Sequence, residues 1–302
     1  MSLLIESSTT TYRPANALWM ARIAKYAYKS ADNGAATLAN TQAPDTKSVL
    51  TSLRADDPEF EQVIALSNRN SQGLVVQHRD CIVLAFRGSD ELADWLDSFN
   101  ARAEGHALGR VHRGFHAALM DIWPAMEAAV AEIQSKRKSG HLPVWLTGHS
   151  LGGALATLAA ARLIEQDQPF YGVYTFGSPR VGDRDFARIY NSEAANRTFR
   201  FQNNNDIVSR IPSRVMNYSH VGQFVYISRR GKLSSDPSRW FRFLDTVRGV
   251  IDDIGDIGID SVKDHSIDDY VAAIERWGNR LPKARKGLRC DGIQGELAKE
   301  AS

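Results

Sequence analysis

One serine of this chain stands in a turn between a predicted strand and a predicted helix. Residues 144–163, VWLTGHSLGGALATLAAARL, place an apolar β-rich run before Ser150 and an alanine-rich run after it. Gly148 and Gly152 flank the serine at a distance of two residues. A strand-to-helix turn this sharp holds its central residue strained and leaves no room for bulky neighbours. The pattern predicts an exposed nucleophilic serine, and the alternative is a glycine-rich loop that only packs the helix on the sheet.

β-rich and helical runs alternate along most of the chain. The predicted strands PVWLTG, YGVYTFG and RTFRFQN are separated by helical stretches over residues 151–166 and 183–191. Further predictions are a helix over 15–28, a hairpin over 73–88 that turns at Arg79-Asp80, and a helix over 115–136 interrupted only by Pro124. Such alternation predicts an α/β fold with a mostly parallel sheet and helices on both faces. The working site of such a sheet lies at the carboxyl ends of its strands.

The amino-acid composition limits the classes of protein to which this chain could belong. With 302 residues and 43% hydrophobic content, the chain can bury a sizeable core, and the absence of repeats or low-complexity linkers predicts one domain over 1–302. The 37 basic residues nearly balance 35 acidic ones, so we expect no nucleic-acid partner. Cys81 and Cys290 are interpreted as free thiols. No export signal is visible, which predicts a cytoplasmic location, although a mature exported chain without its leader would look the same.

A serine nucleophile needs a histidine base, and the histidine needs a carboxylate that orients it. On this architecture the expected chain order is serine, acid, histidine. His220 and His265 both follow Ser150 with room for an acid between. His220 opens a β-rich run, where hydrogen bonding to a neighbouring loop is the favoured interpretation. His265 precedes a predicted helix start marked by Ser266 and Asp269, so it can point into a site and is the predicted base.

Three aspartates are candidates for the orienting acid. Asp183 and Asp185 follow one predicted strand, and Asp183 is explained as the N-terminal cap of the next helix. Asp206 follows a later strand and has no such capping role in the sequence pattern. The asparagines at 203–205 favour a tight turn that would bring its carboxylate over the sheet. Asp206 is therefore the predicted acid.

The negatively charged oxygen of a tetrahedral intermediate needs preorganised N–H donors. One predicted donor is the backbone N–H of Leu151, at the N-terminus of the helix that follows the serine. The second is the N–H of Ser89, which follows the β-rich run IVLAFRG. The alternative for Ser89 is an ordinary turn serine.

Several separated segments resemble one family. They are FRGS at 86–89, VHRGFHAAL at 111–119, TGHSLGGALATL at 147–158, YTFGSPRVGDRDFA at 174–187, NNNDIVSRIP at 203–212, and DH at 264–265. Together they resemble the class 3 lipases, the fungal-lipase-like branch of the α/β-hydrolases, over roughly residues 15–275.

The resemblance implies an α/β-hydrolase that cleaves acylglycerol esters without a metal or cofactor. Ser150, Asp206 and His265 would form the catalytic triad, and Ser89 with Leu151 the oxyanion hole. The Ser89 hydroxyl would also donate to the oxyanion, braced by a carboxylate that aligns near Asp97. The family's VHRGF segment is structural, so His112 stays outside the catalytic set.

Residues 90–100, in the run DELADWLDSFN, have the pattern of an amphipathic helix. Leu92, Trp95, Leu96 and Phe99 fall on one apolar stripe. This pattern predicts a lid, as the family also suggests, and the alternative is a surface helix packed on the core. A helical insertion is predicted at about 230–262, either as a cap helix on the core or as part of an acyl-pocket wall or membrane-seeking surface. Residues 280–302 are predicted to be a polar, solvated tail.

The function predicted from these features is a serine carboxylester hydrolase, most specifically a triacylglycerol lipase that contacts a lipid–water interface transiently. Phospholipase A1 and feruloyl esterase activities stay open within this class, as does acyl transfer through the same acyl-enzyme. A non-catalytic binding module on the same fold would require a missing triad member, and none is missing. Acyl-chain preference and oligomeric state are left open.

Overall fold

The computed structural model describes residues 4–29, 45–69, 71–89, 101–138, 140–228, 231–234 and 264–280. The helices are α1 (Pro14–Tyr26), α2 (Thr46–Asp56), α3 (Arg113–Ser135), α4 (Leu151–Glu165), α5 (Arg184–Ala194) and α6 (Ile267–Arg280). The strands are β1 (Phe60–Asn68), β2 (Ser71–His78), β3 (Cys81–Phe86), β4 (Ala103–His106), β5 (Gly109–His112), β6 (Val144–His149), β7 (Gly172–Phe176), β8 (Gly182–Asp183), β9 (Thr198–Asn203), β10 (Tyr218–Ser219), β11 (Gln223–Ile227) and β12 (Leu233–Ser234).

The main sheet has eight strands in the order β1-β2-β3-β6-β7-β9-β11-β12. Its strands are parallel from β3 to β11, and antiparallel pairs close both edges. The mostly parallel sheet predicted from the sequence is therefore confirmed, as is the hairpin, in which His78 pairs with Cys81 across the turn. A smaller antiparallel sheet has the order β10-β8-β5-β4.

Successive residues of β3 show why both faces of the sheet are covered. Ile82, Leu84 and Phe86 pack with buried side chains of α3, α4 and α5 in one apolar cluster. Cys81, Val83 and Ala85 point to the other face and join α1, α2 and α6 in a second cluster. Because side chains alternate along a strand, an uninterrupted apolar run supplies both cores. The predicted helices on both faces are confirmed.

Helices α3 and α1 depart from the sequence predictions in different ways. The predicted interruption at Pro124 is wrong, because α3 continues through this proline. Buried Trp123 and Met126 on either side of it anchor the helix to the sheet, and this packing offsets the backbone hydrogen bond that a proline removes. Helix α1 ends at Tyr26, so Tyr28 lies beyond it rather than on its apolar stripe.

Some predictions fall on residues outside the described ranges. These are the lid at 90–100, the tail after residue 280, Cys290, and all of the insertion except residues 231–234, part of which pairs as a strand with β11. Cys81 is a buried free thiol. Within the described ranges, no helix is long and apolar enough to span a membrane. The same residues contain no group of three or more side chains suited to a metal ion.

Candidate active site

Ser150 lies in the turn that joins β6 to α4. Its backbone angles, φ 57° and ψ −130°, fall in a region that costs a non-glycine residue about 1–3 kcal/mol. The turn closes because Gly148 and Gly152 have no side chains: a Cβ on Gly148 would collide with the carbonyl of Gly152, and one on Gly152 with the carbonyl of Phe86. The Ser150 N–H donates to the Phe176 carbonyl at 2.9 Å. Local backbone sterics therefore hold the serine at the carboxyl end of β6.

His265 and Asp206 form a buried pair at the same edge of the sheet. The His265 Nδ1 lies 2.9 Å from each carboxylate oxygen of Asp206, and the two residues are 4% and 0% exposed. A carboxylate only accepts hydrogen bonds, so we assign the proton to Nδ1. This tautomer leaves a lone pair on Nε2. The His265 Nε2 and the Ser150 Oγ are both buried and have no hydrogen-bond partner within the described part of the chain.

Asp206 accepts two further hydrogen bonds. The Tyr270 hydroxyl donates to Oδ2 at 2.6 Å, and the Val208 N–H donates to Oδ1 at 2.9 Å. Burial, followed by the nearby charge of Asp206, raises the pKa of Tyr270 well above its usual value, so this hydroxyl remains a donor. The sequence pattern assigned no backbone-capping role to Asp206. This interpretation is corrected by the Val208 bond, which organises the turn after β9.

The loop after β9 also holds the segment that contains His265. The Asn203 side chain donates to the backbone carbonyl of Asp264 at 2.9 Å. The Asn204 side chain and the Asn205 N–H donate to the Asp264 carboxylate at 2.9 and 3.2 Å. The asparagines were expected only to favour a tight turn. Their side-chain and backbone N–H groups also hold Asp264, the residue before His265, in place.

The backbone of Gly177 packs directly against the His265–Asp206 pair. Its φ of +59° suits glycine, and a Cβ at this position would lie 2.6 Å from the Asp206 Oδ2 and 2.8 Å from the His265 Nδ1. The backbone can approach the pair this closely only without a side chain. Gly177 directly follows β7, at the carboxyl ends of the strands where the site was expected, but no motif of the sequence marks it.

The two predicted oxyanion donors lie beside the serine turn. Ser89 follows β3 and is half-buried, and its neighbour Gly88 approaches Ser150 so closely that a Cβ on Gly88 would be 3.0 Å from the Ser150 Cβ. Leu151 is the first residue of α4, where a backbone N–H has no carbonyl of a preceding helical turn to bond. The arrangement suits the predicted donor roles, which remain predictions.

Tyr28 and His149 are further polar residues at the site. The Tyr28 hydroxyl lies 2.9 Å from the His149 Nδ1 and accepts the Gly88 N–H at 3.1 Å. The His149 Nε2 lies 2.6 Å from the backbone carbonyl of His265. His149 could be noticed from the sequence because it precedes Ser150, whereas no local pattern marks Tyr28 as a site residue.

Other candidates lie elsewhere or have backbone-capping roles. His220 bonds through Nε2 to the Ser209 carbonyl at 2.7 Å, which confirms the predicted loop contact. The Asp183 carboxylate accepts the Phe186 N–H at 2.9 Å and caps α5 as predicted, while Asp185 lies in the first turn of this helix. The His112 Nδ1 accepts the Phe115 N–H at 3.2 Å and caps α3.

A strained serine at the carboxyl end of a parallel strand, with a buried histidine–aspartate pair at the carboxyl ends of neighbouring strands, defines the α/β-hydrolase class. Residues 83–216 match the family described as lipase (class 3). Over these residues the chain is similar to the class 3 lipases.

Among its relatives, a secreted mono- and diacylglycerol lipase of Fusarium solani is 33% identical over 183 residues, which cover 59% of this chain and 54% of that protein. Phospholipase A1-IIgamma of Arabidopsis thaliana is 26% identical over 58% of this chain and 48% of that protein. The chain thus spans about half the length of the curated relatives it matches. The triacylglyceride lipase structure of Rhizomucor miehei shares the fold, with a TM-score of 0.58 and 23% identity over 70% of this chain and 81% of that chain.

The expectation of a cytoplasmic location is wrong. The relatives from Fusarium solani, Penicillium cyclopium and Penicillium camembertii are named as secreted lipases. The expectation depended only on the lack of a visible export signal. That observation has no weight against these relatives, because a mature exported chain shows the same lack.

Proposed function

We propose that this protein is a serine carboxylester hydrolase that cleaves acylglycerols outside the cell. The observation that carries the proposal is the state of two buried atoms. The Ser150 Oγ and the His265 Nε2 have no hydrogen-bond partner among the residues described, while Asp206 holds the opposite side of the imidazole. An unpartnered buried polar atom is costly, so this arrangement supports a site that forms its missing contacts with a substrate.

In the proposed acylation step, the Ser150 Oγ attacks the ester carbonyl carbon while its proton passes to the His265 Nε2. The carbonyl electron pair moves to oxygen, and the N–H groups of Ser89 and Leu151 stabilise that negative charge. Collapse of this intermediate breaks the bond to the alcohol oxygen, which departs with the proton from Nε2. The acyl group remains on Ser150, and Asp206 stabilises the transient imidazolium.

Deacylation repeats these steps with water. The His265 Nε2 takes a proton from water as the water oxygen bonds to the acyl carbon, and a second oxyanion forms at the same donors. Its collapse releases the carboxylic acid and returns the proton to the Ser150 Oγ. Each step uses only groups of this chain and water.

A fluorophosphonate probe tests the chemistry directly. We expect the probe to label Ser150 of the wild-type protein, and Ser150→Ala to abolish both the labelling and the hydrolysis of p-nitrophenyl esters. The substitution removes one oxygen atom and retains a Cβ in the strained turn, so the fold is expected to survive. Persistent hydrolysis by purified Ser150→Ala would contradict the assignment.

The substrate class is proposed from the relatives and from the predicted lid. Acylglycerols are favoured because the Fusarium relative is named a mono- and diacylglycerol lipase and the Rhizomucor miehei relative a lipase. The Arabidopsis relative supports phospholipase A1 as the second candidate. A rate panel of triacylglycerols from short to long chain, with a diacyl phospholipid beside them, separates the two. A rate jump above the solubility limit of the substrate is expected if residues 90–100 form a lid, whereas smooth saturation would argue for a plain esterase.

A further inference from the structure

His149 is a buried histidine that the proposed chemistry does not use. Its ring lies between three site residues, with ring centroids 4.4 Å from His265, 5.8 Å from Tyr28 and 6.0 Å from Tyr270. Both ring nitrogens have a partner: Nε2 lies 2.6 Å from the His265 carbonyl, and Nδ1 lies 2.9 Å from the Tyr28 hydroxyl.

The hydrogen-bond directions follow from the partners. A carbonyl only accepts, so the proton of the His149 ring belongs on Nε2. Burial, followed by the nearby His265, lowers the pKa of His149 well below its usual value, so the ring is neutral and Nδ1 is an acceptor. The Tyr28 hydroxyl therefore donates to Nδ1.

The same hydroxyl accepts the N–H of Gly88, which precedes the predicted oxyanion donor Ser89. Gly88 has room for this contact because it lacks a side chain: a Cβ there would collide with the Tyr28 oxygen. A continuous chain of bonds thus runs from Gly88 through Tyr28 and His149 to the backbone of His265. We name the two central side chains the Tyr28–His149 bridge.

We propose that the Tyr28–His149 bridge positions the oxyanion loop, residues 87–89, relative to the backbone of the catalytic histidine. The inference depends on the proposed function, because it assigns both ends of the bridge to the same reaction. The loop and His265 lie far apart in the chain, and they must keep a fixed separation while charge moves between Ser150 and the substrate oxygen. Tyr28 and His149 touch neither reacting atom, so they are positioning residues.

The bridge complements the contacts on the other side of His265. The Asn203 side chain holds the carbonyl of Asp264, and the Asp206 carboxylate holds the imidazole. Among the hydrogen bonds of the described residues, the one from His149 is the only one made to the carbonyl of His265 itself. Without this bond His265 could still pair with Asp206, but the distance between the His265 backbone and the oxyanion loop would vary.

Tyr28→Phe is the mildest test, because it removes one hydroxyl and keeps the ring. We expect kcat for p-nitrophenyl ester hydrolysis to fall about ten- to a hundredfold with KM changed less than twofold, since the loss affects geometry in the transition state rather than substrate binding. Tyr12→Phe is the matched control. The Tyr12 hydroxyl is also buried, it has no hydrogen-bond partner within the described ranges, and its ring packs on Phe199. Wild-type kcat in Tyr28→Phe would overturn the proposal.

Substitutions of His149 separate positioning from packing. Gln can donate to the His265 carbonyl and accept from Tyr28, whereas Leu fills space without either bond. We therefore expect His149→Gln to retain several times the kcat of His149→Leu at comparable melting temperatures. Equal kcat values in the two variants would overturn the proposal.

Hydrogen exchange tests the bridge without relying on hydrolysis. Tyr28→Phe should speed amide exchange both in peptides covering residues 86–89 and in peptides covering 264–268. Faster exchange confined to the first segment would show that the bridge does not couple the two, and would sink the inference even if no ester were hydrolysed. A wild-type protein that hydrolyses no ester would sink the proposed function alone.

Discussion

At the scale of single residues, two backbone positions explain how the candidate site is held. Ser150 and Gly177 both have positive φ, at +57° and +59°. The strained turn places the buried Ser150 hydroxyl at the carboxyl end of β6. Gly177 avoids strain, and the room that its missing side chain leaves is occupied by the His265–Asp206 pair.

Replacing Gly177 with alanine should disable the pair. The new Cβ would lie well inside contact distance of the Asp206 Oδ2 and the His265 Nδ1, so one of these groups must move. We expect kcat to fall by about a hundredfold or more, measured with a soluble p-nitrophenyl ester.

Gly140→Ala is the control for backbone strain. Gly140 has a similar φ of +63°, and a Cβ there would meet nothing within 4 Å. Both variants should lose about 1 kcal/mol of stability from the left-handed backbone, but Gly140→Ala should keep wild-type kcat. An active Gly177→Ala protein would contradict this account of the glycine.

At the scale of elements, α3 shows that packing can maintain a helix against its own sequence. Pro124 has no N–H for the carbonyl of Met120, yet the helix runs from Arg113 to Ser135. Trp123 and Met126 are buried on the sheet side, whereas Pro124 itself is exposed. The apolar stripe therefore fixes the helix, and the proline is tolerated on its outer face.

Pro124→Ala should stabilise the protein. The substitution restores a hydrogen bond to the Met120 carbonyl and removes no buried surface, while the unfolded chain gains some freedom. We expect a net gain of about 1–2 kcal/mol in urea unfolding, with kcat unchanged because α3 supplies no side chain to the candidate site. The neighbouring exposed Ala125 offers the opposite change, since Ala125→Gly should cost about 1 kcal/mol. A less stable Pro124→Ala variant would show that the proline has a packing role.

At the scale of the whole molecule, three histidines that are buried or half-buried couple stability to pH. Burial is the main cause that lowers the pKa values of His106, His149 and His220, with nearby His265 adding to the effect for His149 and Arg200 for His220. Each of these rings binds a proton more readily in the unfolded chain than in the native protein. Stability therefore rises with pH through the region of the unfolded value, about 6.5, and falls as the pH drops below it.

His149→Gln should make this acid sensitivity weaker. A single histidine that stays neutral in the native state contributes up to about 1.4 kcal/mol per pH unit below its unfolded pKa. We expect the melting temperature of wild-type protein to fall between pH 6.5 and pH 5, and that of His149→Gln to fall less steeply. His106 and His220 remain in the variant, so part of the slope should persist. Parallel profiles for the two proteins would contradict the assignment of a buried neutral His149.

Much of the fold and part of the candidate site could be predicted because the determinants are local in sequence. The strand and the helix over 144–163 follow from an apolar β-rich run and an alanine-rich run, and the serine turn follows from steric limits on adjacent residues. Asp183 caps the helix that begins one residue later. The pattern of apolar runs was enough for the parallel sheet. The residues Asp206 and His265 were selected by chain order and turn context, and the structure brings them to one edge of the sheet.

Tertiary structure decided what joins these parts, because hydrogen bonds between distant residues depend on packing and leave no local pattern. Tyr28 lies just beyond a helix and bonds His149, 121 residues away. Tyr270 bonds Asp206, 64 residues before it. The serine turn is a property of its own few residues and could be identified from the chain alone. The Tyr28–His149 bridge and the Tyr270–Asp206 bond exist only because α1 and α6 pack against the sheet that contains β6 and β9.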